Sequence, residues 1–164
     1  MLNIAPAATP QDILDAGTLF REYSELVAEA LCFRNFNEEL AALPGEYAPP
    51  GGVLLIARDA AAAARSRTGG NAAGCVALRR MGAGTAEMKR MYVRAQYRGS
   101  GLGRRLAIAV IEEARKRSYT RVLLDTLPKL ATAIALYRDL GFRETGPYLE
   151  SPTPGAICFE LRIS

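Results

Sequence analysis

The stretch YRGSGLGRRL, Tyr97 to Leu106, sets glycine at positions 99, 101 and 103, between a strand-like segment and an amphipathic helix. Glycine in a helix interior costs about 1 kcal/mol against alanine. A chain that spaces three of them across a helix start needs bare backbone there. Upstream, AEMKRMYVR reads as a strand, with Met88, Arg90, Tyr92 and Arg94 on one face and Glu87, Lys89, Met91 and Val93 on the other. Downstream, from Gly101 to about Arg117, Gly103, Leu106, Ala107, Val110 and Ala114 recur at helical spacing. The first N–H groups of a helix lack internal partners and carry the positive end of its dipole. Glycines let a bulky anion reach them, so the stretch predicts a phosphate cradle. It is neither of two familiar cradles. No lysine follows Gly103 as a Walker loop requires, and the spacing is G-x-G-x-G rather than G-x-G-x-x-G. A ligand-free turn is the plain alternative, and the arginines at 98, 104 and 105 weigh against it.

The rest of the chain punctuates clearly. Residues 9–31 form an expected helix, with Thr9 as cap, Pro10 at its first position and Asp12 in its first turn. NFNEELAAL is a short second helix, stopped by Pro44-Gly45. GVLLIARD, AAGCVALRRM and the strand above make an antiparallel meander, with residues 60–71 expected as a hairpin loop. TRVLLDTL reads as a strand covered on both faces. LATAIALYRDLG is a helix with Gly141 as its C-cap, and FRETG and AICFELRI are two final strands. The expected order is helix, helix, three strands, helix, strand, helix, two strands. That is one α/β (α+β) domain over residues 1–164, with a mixed, mostly antiparallel sheet flanked by helices.

Composition narrows the chemistry. The 164 residues contain no histidine, which removes Ser-His-Asp and Cys-His machineries and argues against a metal site. Any general base is then a carboxylate, lysine, tyrosine or relayed water. Cys32, Cys75 and Cys158 are scattered and form no C-x-x-C pair, as in a protein of a reducing cytoplasm. The N-terminus has no signal-peptide pattern, and no apolar run reaches the ~18 residues of a membrane span. The net charge of +4 is mild and its arginines dispersed, so neither nucleic acid nor membrane is an expected partner.

Arg98-Gly-Ser-Gly-Leu-Gly103 resembles the R/Q-x-x-G-x-G/A signature of the GNAT superfamily of N-acetyltransferases. The likeness continues through EMKRMYVR before the loop and ALYRDLGF after it, covering about residues 86–142. It implies acetyl-CoA as co-substrate, lying in a splay between central strands. The diphosphate would sit on the amides of Arg98, Gly99, Ser100, Gly101, Leu102, Gly103 and Arg104, helped by arginine side chains. The pantetheine arm would meet free backbone at Met91, Tyr92 and Val93, as an added strand would. The amide of Val93 would hold the oxyanion, and Tyr137 would protonate the leaving thiolate. Read from the pattern alone, Tyr137 shares a helical face with Leu130, Ala133 and Ile134 and is a core residue.

Glu87 is the first candidate for the base, with Asp125 and Glu150 behind it, and a structural ion pair is the competing role for Glu87. One departure from the family pattern is Leu130, where many relatives carry asparagine. The acceptor, a small-molecule, amino-acid or peptide amine, is expected against Phe33, Phe36 and Tyr148. Direct attack in a ternary complex fits, because no cysteine lies in the motif segments; Cys158, on the last strand, is the one that would border the cleft. A non-catalytic acetyl-CoA sensor is the alternative reading. Monomer and homodimer both remain open.

Overall fold

The computed structural model describes residues 1–27, 35–65 and 70–164. A seven-stranded sheet runs in the order β1-β2-β3-β4-β5-β7-β6. Its strands are β1 (Leu2–Pro6), β2 (Val53–Asp59), β3 (Ala72–Gly82), β4 (Thr85–Val93), β5 (Arg121–Thr126), β6 (Arg143–Thr145) and β7 (Ile157–Arg162). The first four form an antiparallel meander, β4 and β5 are parallel, and β7 inserts antiparallel between β5 and β6.

Helices cover both faces. On one side α4 (Leu102–Lys116) and α5 (Ala131–Asp139) enclose a core of Val76, Leu78, Leu106, Val110, Leu124 and Phe159. On the other, α1 (Pro10–Leu26) buries Ala16, Leu19 and Phe20 against Leu54, Ile56, Cys75 and Ala77. Thr9 caps α1 as expected, completing a capping box with Asp12. Cys32, Phe33 and the end of the expected first helix lie outside the described residues. The short helix α2 is Phe36–Ala42.

Two elements depart from expectation. Strand β1 was not expected. LNIAP is short and mostly half-buried or exposed, so it carries little hydrophobic pattern. Its order comes from backbone pairing with β2, and as an edge strand it tolerates Pro6. In the loop expected at 60–71, Ala60–Ala63 form one helical turn, α3, capped by Asp59 on the Ala61 N–H at 3.0 Å.

A further correction concerns β4. Its alternation breaks at Arg90, whose φ is +57°. Val76 of β3 falls between the pairs Cys75↔Tyr92 and Ala77↔Lys89, so Arg90 and Met91 bulge against one partner residue. The bulge flips the parity. Met88 packs on the α4 side together with Met91 and Val93, whereas Tyr92 packs on the α1 side. Arg90 and Arg94 point the same way as Tyr92, to Glu39 of α2 and Glu22 of α1.

Gly52 opens β2 where no side chain fits. A Cβ there would meet Glu46 O at 2.5 Å, Leu78 O at 2.7 Å and Tyr47 C at 2.8 Å, all backbone. Gly52→Ala should lower stability by about 2 kcal/mol, the scale of core overpacking. Urea unfolding measures it, and an unshifted midpoint would contradict the packing.

Candidate active site

The loop expected as a cradle is built by two left-handed glycines. Gly99 and Gly101 have φ of +78° and +81°, and added Cβ atoms would meet nothing within 4 Å. Backbone conformation requires these glycines, not crowding. Gly103 has no such φ, and its Cβ would make ordinary contacts at 3.9 Å with Leu136 and Val93. Arg105 N–H donates to Gly101 O at 3.1 Å and closes the first turn of α4. The amides of Leu102, Gly103 and Arg104 precede that bond and have no intrahelical acceptor.

The arginines are arranged differently from expectation. The Arg98 N–H donates to Ala95 O at 3.2 Å, so this amide is already used. Its side chain donates from Nε to Val93 O at 2.9 Å, with the guanidinium 5.8 Å from the Tyr92 ring centre. Arg104 pairs with Asp139 and ties α4 to α5. Arg105 turns to Leu2 O at 2.8 Å on the far strand. Ser100 Oγ donates to Tyr97 O at 2.6 Å.

From this loop a cavity of about 700 Å³ runs between α4, α5 and β4 to Tyr137. It exists because β4 and β5 separate. Their pairing covers Thr85↔Arg121, Ala86↔Val122 and Glu87↔Leu123, and stops there, while β4 stays on β3 to Val93↔Gly74. Arg94 N–H donates to Ala73 O, so by strand alternation the amide and carbonyl of Val93 face the gap. Tyr92 presents its backbone to β3, since its carbonyl lies 2.5 Å from where a Cβ on Gly74 would sit. Of the three expected backbone contacts, Tyr92 lines the cavity, but its backbone is turned to β3. Leu130 also lines the cavity, at the start of α5.

The GF pair after α5 explains how Tyr137 is held. Gly141, at φ +97°, lets Phe142 N–H bond Tyr137 O at 3.0 Å while Gly141 N–H bonds Arg138 O at 3.0 Å. The Phe142 ring then packs on Tyr137 at 5.8 Å. Tyr137 is 6% exposed, and burial pushes its phenol well above the ordinary value. Its hydroxyl makes no hydrogen bond among the described residues. It lines both the large cavity and a narrow gap of about 30 Å³ that continues through the sheet.

On the α1 and α2 face of that gap the carboxylates separate in character. Glu87 is fully buried. Arg79 Nε donates to it at 2.7 Å and Tyr148 OH at 2.5 Å. Asp125 lines the narrow gap; burial first, then the Glu87 charge, raise its pKa. Glu150 is exposed. Phe36 opens α2 with the Arg90 guanidinium 5.6 Å from its ring centre. Cys158 stands opposite Asp125 in the β5–β7 ladder and is buried. Lys89, assigned no role from sequence, lines the gap beside Asp125. Its signal was its place two residues after Glu87 on one strand face. Among the described residues no cluster of three or more His, Cys, Asp or Glu could hold a metal.

Residues 20–142 match the model of the acetyltransferase (GNAT) family. The chain belongs to the GNAT family. This acetyltransferase is 38% identical over 164 residues to an uncharacterised N-acetyltransferase of Schizosaccharomyces pombe, covering 99% of this chain and 96% of the relative. It is 41% identical over 85 residues to an IAA acetyltransferase of Azospirillum brasilense, covering 51% of this chain and 55% of that one. A GNAT-family acetyltransferase of Staphylococcus aureus superposes with a TM-score of 0.78 at 19% identity over 100% of both chains. The PaiA N-acetyltransferase of Thermoplasma acidophilum, solved in complex with coenzyme A, superposes at 0.76 and 14% identity over 99% of each chain. Those two likenesses show the fold. The family makes this protein an N-acetyltransferase that carries out acetyl-CoA-dependent acetyl transfer. Among the described residues no helix is long and apolar enough to cross a membrane.

Proposed function

We propose that the acetyltransferase moves the acetyl group directly to a primary amine of a small molecule, amino acid or peptide in a ternary complex, in the cytoplasm. The observation that carries this reading is the open cavity from the α4 N-terminus to the Tyr137 hydroxyl, which makes no hydrogen bond among the described residues. The amides of Gly99 to Arg104 take the diphosphate, where backbone N–H groups and the helix dipole favour negative charge. The gap-facing amides of β4 align the pantetheine arm, and that of Val93 donates to the oxygen that gains charge. Tyr137 donates a hydrogen bond and then a proton to the leaving sulfur. The burial that raises its own pKa raises that of a thiol beside it, as it does for the buried Cys75. The two basicities therefore stay close enough for transfer. Asp125 faces the narrow gap and accepts the amine proton. Glu87 holds Arg79 and Tyr148 in place behind it.

Calorimetry with acetyl-CoA tests the cradle. Gly101→Ala forces a side chain into φ +81°, a strain of about 1–2 kcal/mol, and should weaken acetyl-CoA about tenfold. Gly103→Ala meets only ordinary contacts and should bind within about twofold of wild type. Equal effects of the two substitutions would remove the left-handed turn from the binding site.

A further inference from the structure

The chemistry above needs an amine, but the gap holds more than an amine requires. Lys89 is 14% exposed, and its nearest carboxylate oxygen, Glu87 Oε1, lies 4.0 Å away, beyond hydrogen-bond reach. It makes no hydrogen bond among the described residues. The neighbouring cations differ. Arg90 is held by Glu39 at 3.0 and 3.3 Å, and Arg79 by Glu87 and Glu46 at 2.7 and 2.8 Å. Asp125 is the matching carboxylate, and among the described residues no side chain donates a hydrogen bond to it or forms an ion pair with it.

Strand register sets these two groups level. Glu87↔Leu123 is the last pair of the parallel ladder, and Lys89 and Asp125 each lie two residues beyond it. Two residues along a strand returns to the same face, so both share the side that carries α1 and α2. Continued pairing would bring them together as a salt bridge; the splay holds them apart across the gap. A cation and an anion, largely removed from water and without full hydrogen-bond partners, carry a desolvation cost that a dipolar ligand would offset.

We infer that the acceptor is an amino acid: its amine enters the gap at Asp125 and its carboxylate binds the Lys89 ammonium. This rests on the acetyl-transfer reading and narrows it. The gap of about 30 Å³ has room for a water-sized group, which suits an amine head. Lys89 and Arg90 also line a second cavity of about 350 Å³ under α2, which takes the rest of the molecule. A peptide N-terminus or a polyamine supplies no carboxylate at this point, so Lys89 selects against both. Lys89 is a specificity-determining residue under this assignment, acting on the carboxylate and not on the acetyl group.

The test uses the full chain with acetyl-CoA and reads released thiol. Each common amino acid is compared with its own α-amide and with a dipeptide that begins with it. At least one amino acid should exceed its amide by about 50-fold or more in kcat/KM, a scale set by one charge-assisted hydrogen bond in a desolvated site. In Lys89→Met that ratio should fall to near one, mainly through KM, and Lys89→Arg should restore much of it. Melting curves confirm that both variants fold. Amides or dipeptides used as well as free amino acids would overturn the assignment, and so would a Lys89→Met enzyme that kept the preference. An absence of thiol release with every class of acceptor, despite acetyl-CoA binding, would instead overturn the transfer reading beneath it.

Discussion

Tyr137→Phe should lower kcat at least tenfold, leave acetyl-CoA affinity within about twofold, and leave the melting temperature unchanged or slightly raised. The split follows from what the hydroxyl touches. Three tyrosines of this fold are nearly inaccessible, and two use their hydroxyls inside the protein. Tyr47 donates to Glu39 at 2.6 Å and Tyr119 to Gly51 O at 2.6 Å. Removing either hydroxyl deletes a part-buried hydrogen bond, which costs about 0.5–1.5 kcal/mol of stability. The Tyr137 hydroxyl has no such partner among the described residues, and its ring is held by Phe142 and Phe159 whether or not the oxygen is present. Its loss should therefore be silent in unfolding and visible only in turnover. Tenfold corresponds to about 1.4 kcal/mol of barrier, a modest demand on one hydrogen bond to a developing thiolate. Unaltered turnover with a good acceptor would remove Tyr137 from the mechanism. A fall in stability without a fall in rate would make it the core residue that its helical spacing alone suggests.

The parts of this site visible in the sequence are those fixed by local backbone chemistry. Gly99 and Gly101 announce bare backbone before a helix, and Gly141 announces a helix end; the fold makes the first two left-handed and, through Phe142, pins Tyr137 from behind. Both effects act within a few residues. The elements that sequence misplaced depend on distant partners. The bulge at Arg90 reverses which residues of β4 face α4, and nothing in EMKRMYV marks it. It is held by Glu39 of α2, 51 residues upstream. Strict alternation consequently set Met91 beside Glu87 and Tyr92 beside Met88, whereas packing groups Met91 with Met88. The carboxylates follow the same rule. Glu87 opens the motif strand and draws attention as a base, but Arg79 of β3 and Tyr148 of the late loop close over it. Asp125 and Lys89 come level only through the β4–β5 register, which no local pattern encodes.

Asp125→Asn and Glu87→Gln should consequently move stability in opposite directions. The Asp125 pKa is raised in the fold, by burial first and by the Glu87 charge next. The folded state then holds this proton to higher pH than the unfolded chain does. Its ionised form costs stability above the unfolded pKa, and the cost is relieved as pH falls through the folded pKa. Asparagine carries no such cost, so Asp125→Asn should be at least as stable as wild type at neutral pH. It should also lose about 100-fold in kcat/KM, the usual scale for a missing general base. In the wild-type enzyme the rate should climb with pH along a limb that lies above the ordinary carboxylate range, and the substitution should flatten that limb. Glu87→Gln has the opposite signature. It removes the charge that Arg79 faces in the interior, and breaking a buried pair costs about 3–5 kcal/mol. Its melting temperature should therefore drop before any question of rate arises. A destabilised Asp125→Asn, or a pH limb that survives it and vanishes in Glu87→Gln, would return the base to Glu87 and make Tyr148 the proton's route out.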